Sequence, residues 1–164
     1  MNRLRKFLSL TRREKLFFFE AFILLLLSKL SVTTVAFKHI DSFLRAYRND
    51  HPQARIDRPD DIQNDIELIN LSLSRGTNVL PWNSMCLCRS IAGLIMLRRR
   101  GIPAVLLAGV KFLEDSSLHA HAWIRAGDGV VEWNSDGSSD NSAFAVVLRI
   151  GHESFLVRPT MSFN

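Results

Sequence analysis

Gly101 divides the chain between two hydrophobic periods, so the fold cannot be all helix or all sheet. Before Gly101 the apolar residues recur at helical spacing. After it, Ala104–Val110, His119–Arg125, Val130–Trp133 and Phe144–Ile150 read as strands. Gly127-Asp128-Gly129, between the second and third, is a hairpin signal. The order is helices, one central helix, then an antiparallel sheet. That is an α+β layout with the sheet packed on the central helix.

The helical part begins with a capping box. Thr11-x-x-Glu14 starts an apolar run between Lys15 and Lys29 that Glu20 interrupts. The run is shorter than the about 20 residues a bilayer span needs. It reads as a helix of the protein core. The alternatives are a helix lying on an anionic membrane through Arg3, Arg5, Lys6, Arg12 and Arg13, or a span. A second helix is expected from Phe37 to Tyr47. Residues 49–64, with Pro52, Pro59 and six charged residues, read as a loop or linker. A short helix is expected at Ile62–Ser74, with Arg75-Gly76-Thr77-Asn78 breaking it. The central helix runs from Met85 to Arg100, capped by Asn83 or Ser84 and closed by Gly101. The chain divides into a helical basic part, residues 1–50, and a core, residues 51–164, within one compact unit.

Charge follows the same division. Residues 1–50 carry ten Lys/Arg against four Asp/Glu, while residues 51–164 carry eleven against twelve. The overall net charge of +5 is therefore a property of the N-terminal third. Arg98-Arg99-Arg100 reads as a solvated helix end matched to the dipole rather than as a nucleic-acid patch. Two cysteines are too few for a disulfide scaffold or a structural zinc site, and a reduced, intracellular protein is the default.

The chemistry gathers at the start of the central helix. Cys86 stands in its first turn, where backbone N–H groups and the dipole are expected to lower a thiol pKa. It shares a face with Ser90 and Gly93, small residues that let a strand approach. Cys88, rotated about 200° away, reads as core. His119 and His121 lie on one side of a strand and either can serve as the base of a Cys–His pair. Two histidines at this spacing could also bind zinc, but no third ligand has an obvious spacing. The returning strand offers Glu132, Asn134 and Asp136 to orient the imidazole. A Gly127-Asp128 turn sets Asn134 opposite His121, and an Asp128-Gly129 turn sets Asp136 there.

Cys86-Leu87-Cys88-Arg89-Ser90, Leu97-Arg98-Arg99-Arg100-Gly101-Ile102, Gly109-Val110-Lys111 and His121-Ala122-Trp123-Ile124 occur in this order, with a closing Phe144–Gly151 segment. This set resembles the transglutaminase-like leader peptidases of lasso-peptide biosynthesis. The resemblance implies a transglutaminase/papain-like core with Cys86 as nucleophile and His121 as base. It leaves Cys88 and His119 outside the motif. It places Asn134 where the family usually has Asp, with Glu132 and Asp136 as the other candidates, and gives Trp123 a packing role. It implies a cytoplasmic cysteine peptidase without cofactor or metal, serving antibiotic biosynthesis by removing a leader peptide from a ribosomally made precursor. An asparagine-synthetase-like lasso cyclase then closes the macrolactam. Because residues 1–50 read as helical, the chain resembles the split type, in which a separate PqqD-like protein holds the leader. No nucleic acid is expected as partner, and peripheral membrane contact remains open. The alternatives are a non-catalytic scaffold of the biosynthetic complex and acyl transfer to an amine.

Overall fold

A computed structural model describes residues 9–47, 59–81, 86–113, 115–126 and 144–151. Helix α1 spans Arg12–Thr34, α2 Phe37–Ala46, α3 Pro59–Thr77 and α4 Cys86–Arg99. Strand β1 spans Ala104–Phe112, β2 Leu118–Ala126 and β3 Ala145–Gly151. The three strands form an antiparallel sheet in the order β2-β1-β3. The α+β layout expected from the sequence is the observed one. The predicted strand Val130–Trp133 and the Gly127-Asp128-Gly129 turn lie outside the described residues.

The signals that start and stop helices act as their chemistry requires. The Thr11 N–H donates to Glu14 Oε2 at 2.9 Å, and the Glu14 N–H donates to Thr11 Oγ1 at 3.2 Å. Accepting the Thr11 N–H holds the Glu14 carboxyl below its ordinary pKa. At the far end of α4, Gly101 adopts φ +69°, which an L side chain resists. The Gly101 N–H donates to Arg98 O at 2.9 Å and the Ile102 N–H to Leu97 O at 3.0 Å. These are the two bonds of a Schellman motif, and the buried pair Leu97 and Ile102 supplies its apolar contact.

Two expectations about the third helix need correction. Helix α3 begins at Pro59, inside the segment read as a loop, because proline suits the first helical position, where its missing N–H costs nothing. The same helix runs through Arg75-Gly76-Thr77. Gly76 does not break it; it makes room. A Cβ at Gly76 would stand 2.8 Å from Leu25 Cδ1, so the missing side chain lets α1 and α3 cross closely.

The core is built around α4, in which Cys88, Ser90 to Leu94, Met96 and Leu97 are buried. One contiguous apolar cluster joins α1 (Phe17, Ala21, Leu25), α3 (Ile66, Ile69, Leu73), α4 and the sheet residues Leu106, Ile124 and Ile150. The arginine triplet fastens this assembly instead of forming a solvated end. Arg98 Nη1 donates to the carbonyls of Leu44 and Tyr47 at the end of α2. Arg100 pairs with Glu20 of α1 at 2.6 Å and lies over the Phe17 ring, 3.9 Å from its centroid.

Helix α1 extends beyond the apolar run between Lys15 and Lys29 at both ends. The helix has 23 residues and is long and apolar enough to cross a membrane. Only one face, Phe17, Ala21, Leu25 and Ser28, enters the core. Leu16, Phe19, Ile23, Leu26, Leu27 and Leu30 remain exposed. The two faces make a testable pair of truncations. Leu25→Ala should cost about 2–5 kcal/mol in urea unfolding, as a buried Leu does. Ile23→Ala, from the exposed face, should cost under about 0.5 kcal/mol. Equal costs would mean that α1 is rotated differently.

Candidate functional site

Cys86 is the first residue of α4 and is half-buried. Its position there follows from the packing of the helix behind it. Because the turns from Cys88 onward are locked in the core, the N-terminal end is held in place. Cys88 is 2% exposed, and burial pushes its thiol up, with the Lys29 ammonium opposing that shift in part. It is a core cysteine, as its helical phase predicted. The proposed capping residues Asn83 and Ser84 lie outside the described residues, as do Glu132, Asn134 and Asp136.

Helix α4 packs on both β2 and β1. The helix returns along β1 after the tight turn at Arg100–Gly101. Running back from Arg99 to Cys86 covers about 20 Å, and the seven strand residues from Ala104 to Val110 cover a similar length. Across the β1–β2 pair, Gly109 faces His121.

The two faces of the sheet differ. Leu106, Ile124, Ala126 and Ile150 belong to the helical core, so this face carries α4. Val105, Leu107 and Trp123, with Phe144 packed on them, form a separate cluster on the other face. His119 and His121 alternate onto that second face with Trp123. The structure thus packs α4, which carries Cys86, on one face of the sheet and sets the His121 ring on the other.

The histidines, equivalent by spacing, are distinct in the fold. His121 is half-buried, stacked on Trp123 at 5.9 Å with 13° between the planes, and 5.5 Å from the Phe144 centroid. His119 is exposed and meets only the edge of this group, 5.8 Å from Phe144. The Lys111 ammonium sits 4.6 Å above the Phe144 ring. Trp123 is 4% exposed, in keeping with its expected packing role.

Two residues gain a role that spacing alone did not assign. Gly109 provides the floor for the aromatic group: a Cβ there would lie 3.0 Å from Trp123 Cη2, Phe144 Cβ and the Ala145 carbonyl. The register of β3 shifts at this same point, between Ala108 and Gly109. Arg89, one turn beyond Cys86, donates through Nη2 to Asn70 Oδ1 at 3.3 Å, while its buried Nε makes no hydrogen bond. Burial lowers the pKa of this guanidinium. The motif Cys-Leu-x-Arg-Ser was the available signal for Arg89, but a motif does not say which atoms are enclosed. Among the described residues no group of three His, Cys, Asp or Glu gathers as a metal site.

Two predictions follow from these contacts. Gly109→Val should force Trp123 and Phe144 apart, destabilise the fold by about 1–3 kcal/mol and reduce the near-UV circular dichroism of the indole. An unchanged near-UV spectrum would remove Gly109 from this role. For Cys88, the folded pKa is raised above the ordinary value of 9.0, so folding favours the thiol. Its contribution is fully present below about pH 9 and is lost as the pH rises through the folded pKa. Stability measured from pH 7 to 10.5 should fall above pH 9, and Cys88→Ala should flatten that fall.

The transglutaminase-like superfamily model matches residues 25–149. No curated protein and no solved structure matches the chain significantly. The matched region runs from the middle of α1 to β3 and takes in α4 with Cys86 and β2 with His121. The chain therefore belongs to the transglutaminase-like superfamily, whose fold is typically that of cysteine-protease-like enzymes.

Proposed function

We propose that this chain is a cysteine peptidase that removes the leader from a lasso-peptide precursor. The observation that carries the reading is Cys86, half-exposed at the start of a helix whose second cysteine is buried, within a transglutaminase-like domain packed on the strand of His121. Exposure favours Cys86 over Cys88 as nucleophile. Partial enclosure by Trp123 and Phe144 favours His121 over His119 as base, since it restrains the ring.

In the proposed reaction the Cys86 sulfur attacks the scissile carbonyl, and its proton passes to His121. The negative charge of the tetrahedral intermediate meets the N–H groups that begin α4. His121 then gives the proton to the departing amine of the core peptide, leaving the leader as a thioester. Water adds to that thioester, and its proton returns through His121 as the thiol is released. Asn134 orients the imidazole through its amide oxygen. Because α4 and the His121 ring lie on opposite faces of the sheet, direct proton transfer between Cys86 and His121 is the step that the paired substitutions below test.

The substrate is delivered by a PqqD-like protein that holds the leader, and the product passes to an asparagine-synthetase-like cyclase. A shared carrier makes cleavage close to intramolecular, with effective concentrations on the order of mM. Of the acidic stretch Asp57–Asp65, Asp65 is already paired with Arg13 of α1 and so is taken up within the chain.

Cleavage of a lasso precursor, followed by mass spectrometry with and without the PqqD-like protein, tests the reading. Cys86→Ala and His121→Ala should lose orders of magnitude in rate, while Cys88→Ala and His119→Ala keep most of it. Asn134→Asp should retain activity. The partner should raise the rate at least about tenfold at low substrate. A folded Cys86→Ala that still cleaves would refute the assignment of the nucleophile. A product joined to an added amine would point to acyl transfer instead of hydrolysis.

A further inference from the structure

We propose that the exposed face of α1 seats the protein on an anionic lipid surface, with the helix in the plane of the interface. This inference does not depend on the peptidase reading. Leu16, Phe19, Ile23, Leu26, Leu27 and Leu30 are each at least about a third exposed. At 100° per residue they form one stripe, opposite the buried face of Phe17, Ala21, Leu25 and Ser28. The stripe is about 21 Å long. It is a continuous apolar surface, which a soluble monomer seldom leaves to water. Val35, Phe37 and Phe43, at the end of α1 and on α2, are exposed as well. Leu27, Val35 and Phe43 also border a cavity of about 450 Å³ between α1, α2 and α4, open beside the stripe.

The packing of α1 decides between lying on a bilayer and crossing it. Its other face belongs to the common core. Glu20, near the middle of the helix, pairs with Arg100 and Arg99. Arg13 pairs with Asp65 of α3, and Glu14 with Arg75. A crossing helix would have to break these pairs and leave the core, whereas an in-plane helix keeps all of them.

Charge selects lipid as the occupant. Arg12 is exposed in line with the stripe at its N-terminal end and Lys15 falls on one flank by helical phase, while Lys29 lies half-buried on the side toward Cys88. The carboxylates of residues 9–47 are Glu14, Glu20 and Asp41, and each is paired with an arginine of the chain. The face therefore offers apolar side chains rimmed by cations, with its carboxylates neutralised. That pattern matches an anionic headgroup layer over acyl chains.

Flotation of the full chain with vesicles tests this. Binding to vesicles of phosphatidylcholine and phosphatidylglycerol at 7:3 should exceed binding to pure phosphatidylcholine at least about tenfold, and 0.5 M NaCl should remove most of that difference. The triple change Leu16→Ser, Ile23→Ser and Leu30→Ser should reduce binding at least about tenfold with helicity retained. If that variant misfolds, Arg12→Gln with Lys15→Gln carries the test, since it leaves the apolar face intact; it too should lose most of the preference for the 7:3 vesicles. Alkaline carbonate should release the bound protein. A wild-type chain that stays off the 7:3 vesicles overturns the proposal, as does binding that both variants retain. Resistance to carbonate would replace the in-plane helix with a spanning one. A lipid-free dimer abolished by the serine changes would assign the face to a second copy. Capture by the purified PqqD-like protein, lost in the serine variant while vesicle binding is unchanged, would assign it to that partner.

Discussion

Glu20 is the one carboxylate inside the apolar run of α1, and its ion pairs with Arg99 and Arg100 set the rotation of that helix. The run is apolar on every side, so hydrophobicity alone gives α1 no preferred face. A partly buried carboxylate between two guanidiniums does, because turning it elsewhere would strand the charges. Arg100 also lies across Phe17, so one side chain joins an ion pair to a cation–π contact. With Glu20 turned toward the end of α4, Phe17, Ala21 and Leu25 face the core and Leu16, Ile23 and Leu30 face outward.

From that contact the order passes to α4. Its C-terminal end is held by Glu20, by the α2 carbonyls that Arg98 satisfies and by the Schellman turn at Gly101. Its middle is buried against helices and sheet. At its N-terminus Cys86 is half-exposed. A rigid element thus presents a sulfur next to oriented backbone N–H groups, a geometry suited to acyl chemistry.

The sheet makes a different use of its two faces. One closes the core; the other carries an aromatic group that encloses His121 and leaves His119 at its rim. Gly109 permits this because Trp123 and Phe144 occupy the space a Cβ would need. Restraining one histidine and exposing its neighbour gives the strand one candidate base from two residues of the same type.

Local chemistry made the element order legible. The capping box at Thr11, the stop at Gly101, the change of period after it and the core phase of Cys88 all follow from a residue and its near neighbours, so one sequence suffices to read them. The same was true of the Pro59 start, whose signal was present in a segment judged by its charge. Contacts between distant elements were not legible. Gly76 looks like a helix breaker until α1 crosses it, and the arginine triplet looks solvated until Glu20, Leu44 and Tyr47 arrive from elsewhere in the chain. His119 and His121 share one side of a strand, and only the packing of Phe144 and Trp123 separates them. The sequence by itself determined the kinds of elements, their order and the residues able to do chemistry, because propensity, capping and periodicity are properties of short stretches. Which face of α1 is buried, which arginines bind carboxylates and carbonyls, and which histidine is enclosed were decided by tertiary structure, because each depends on groups that meet only when remote segments pack.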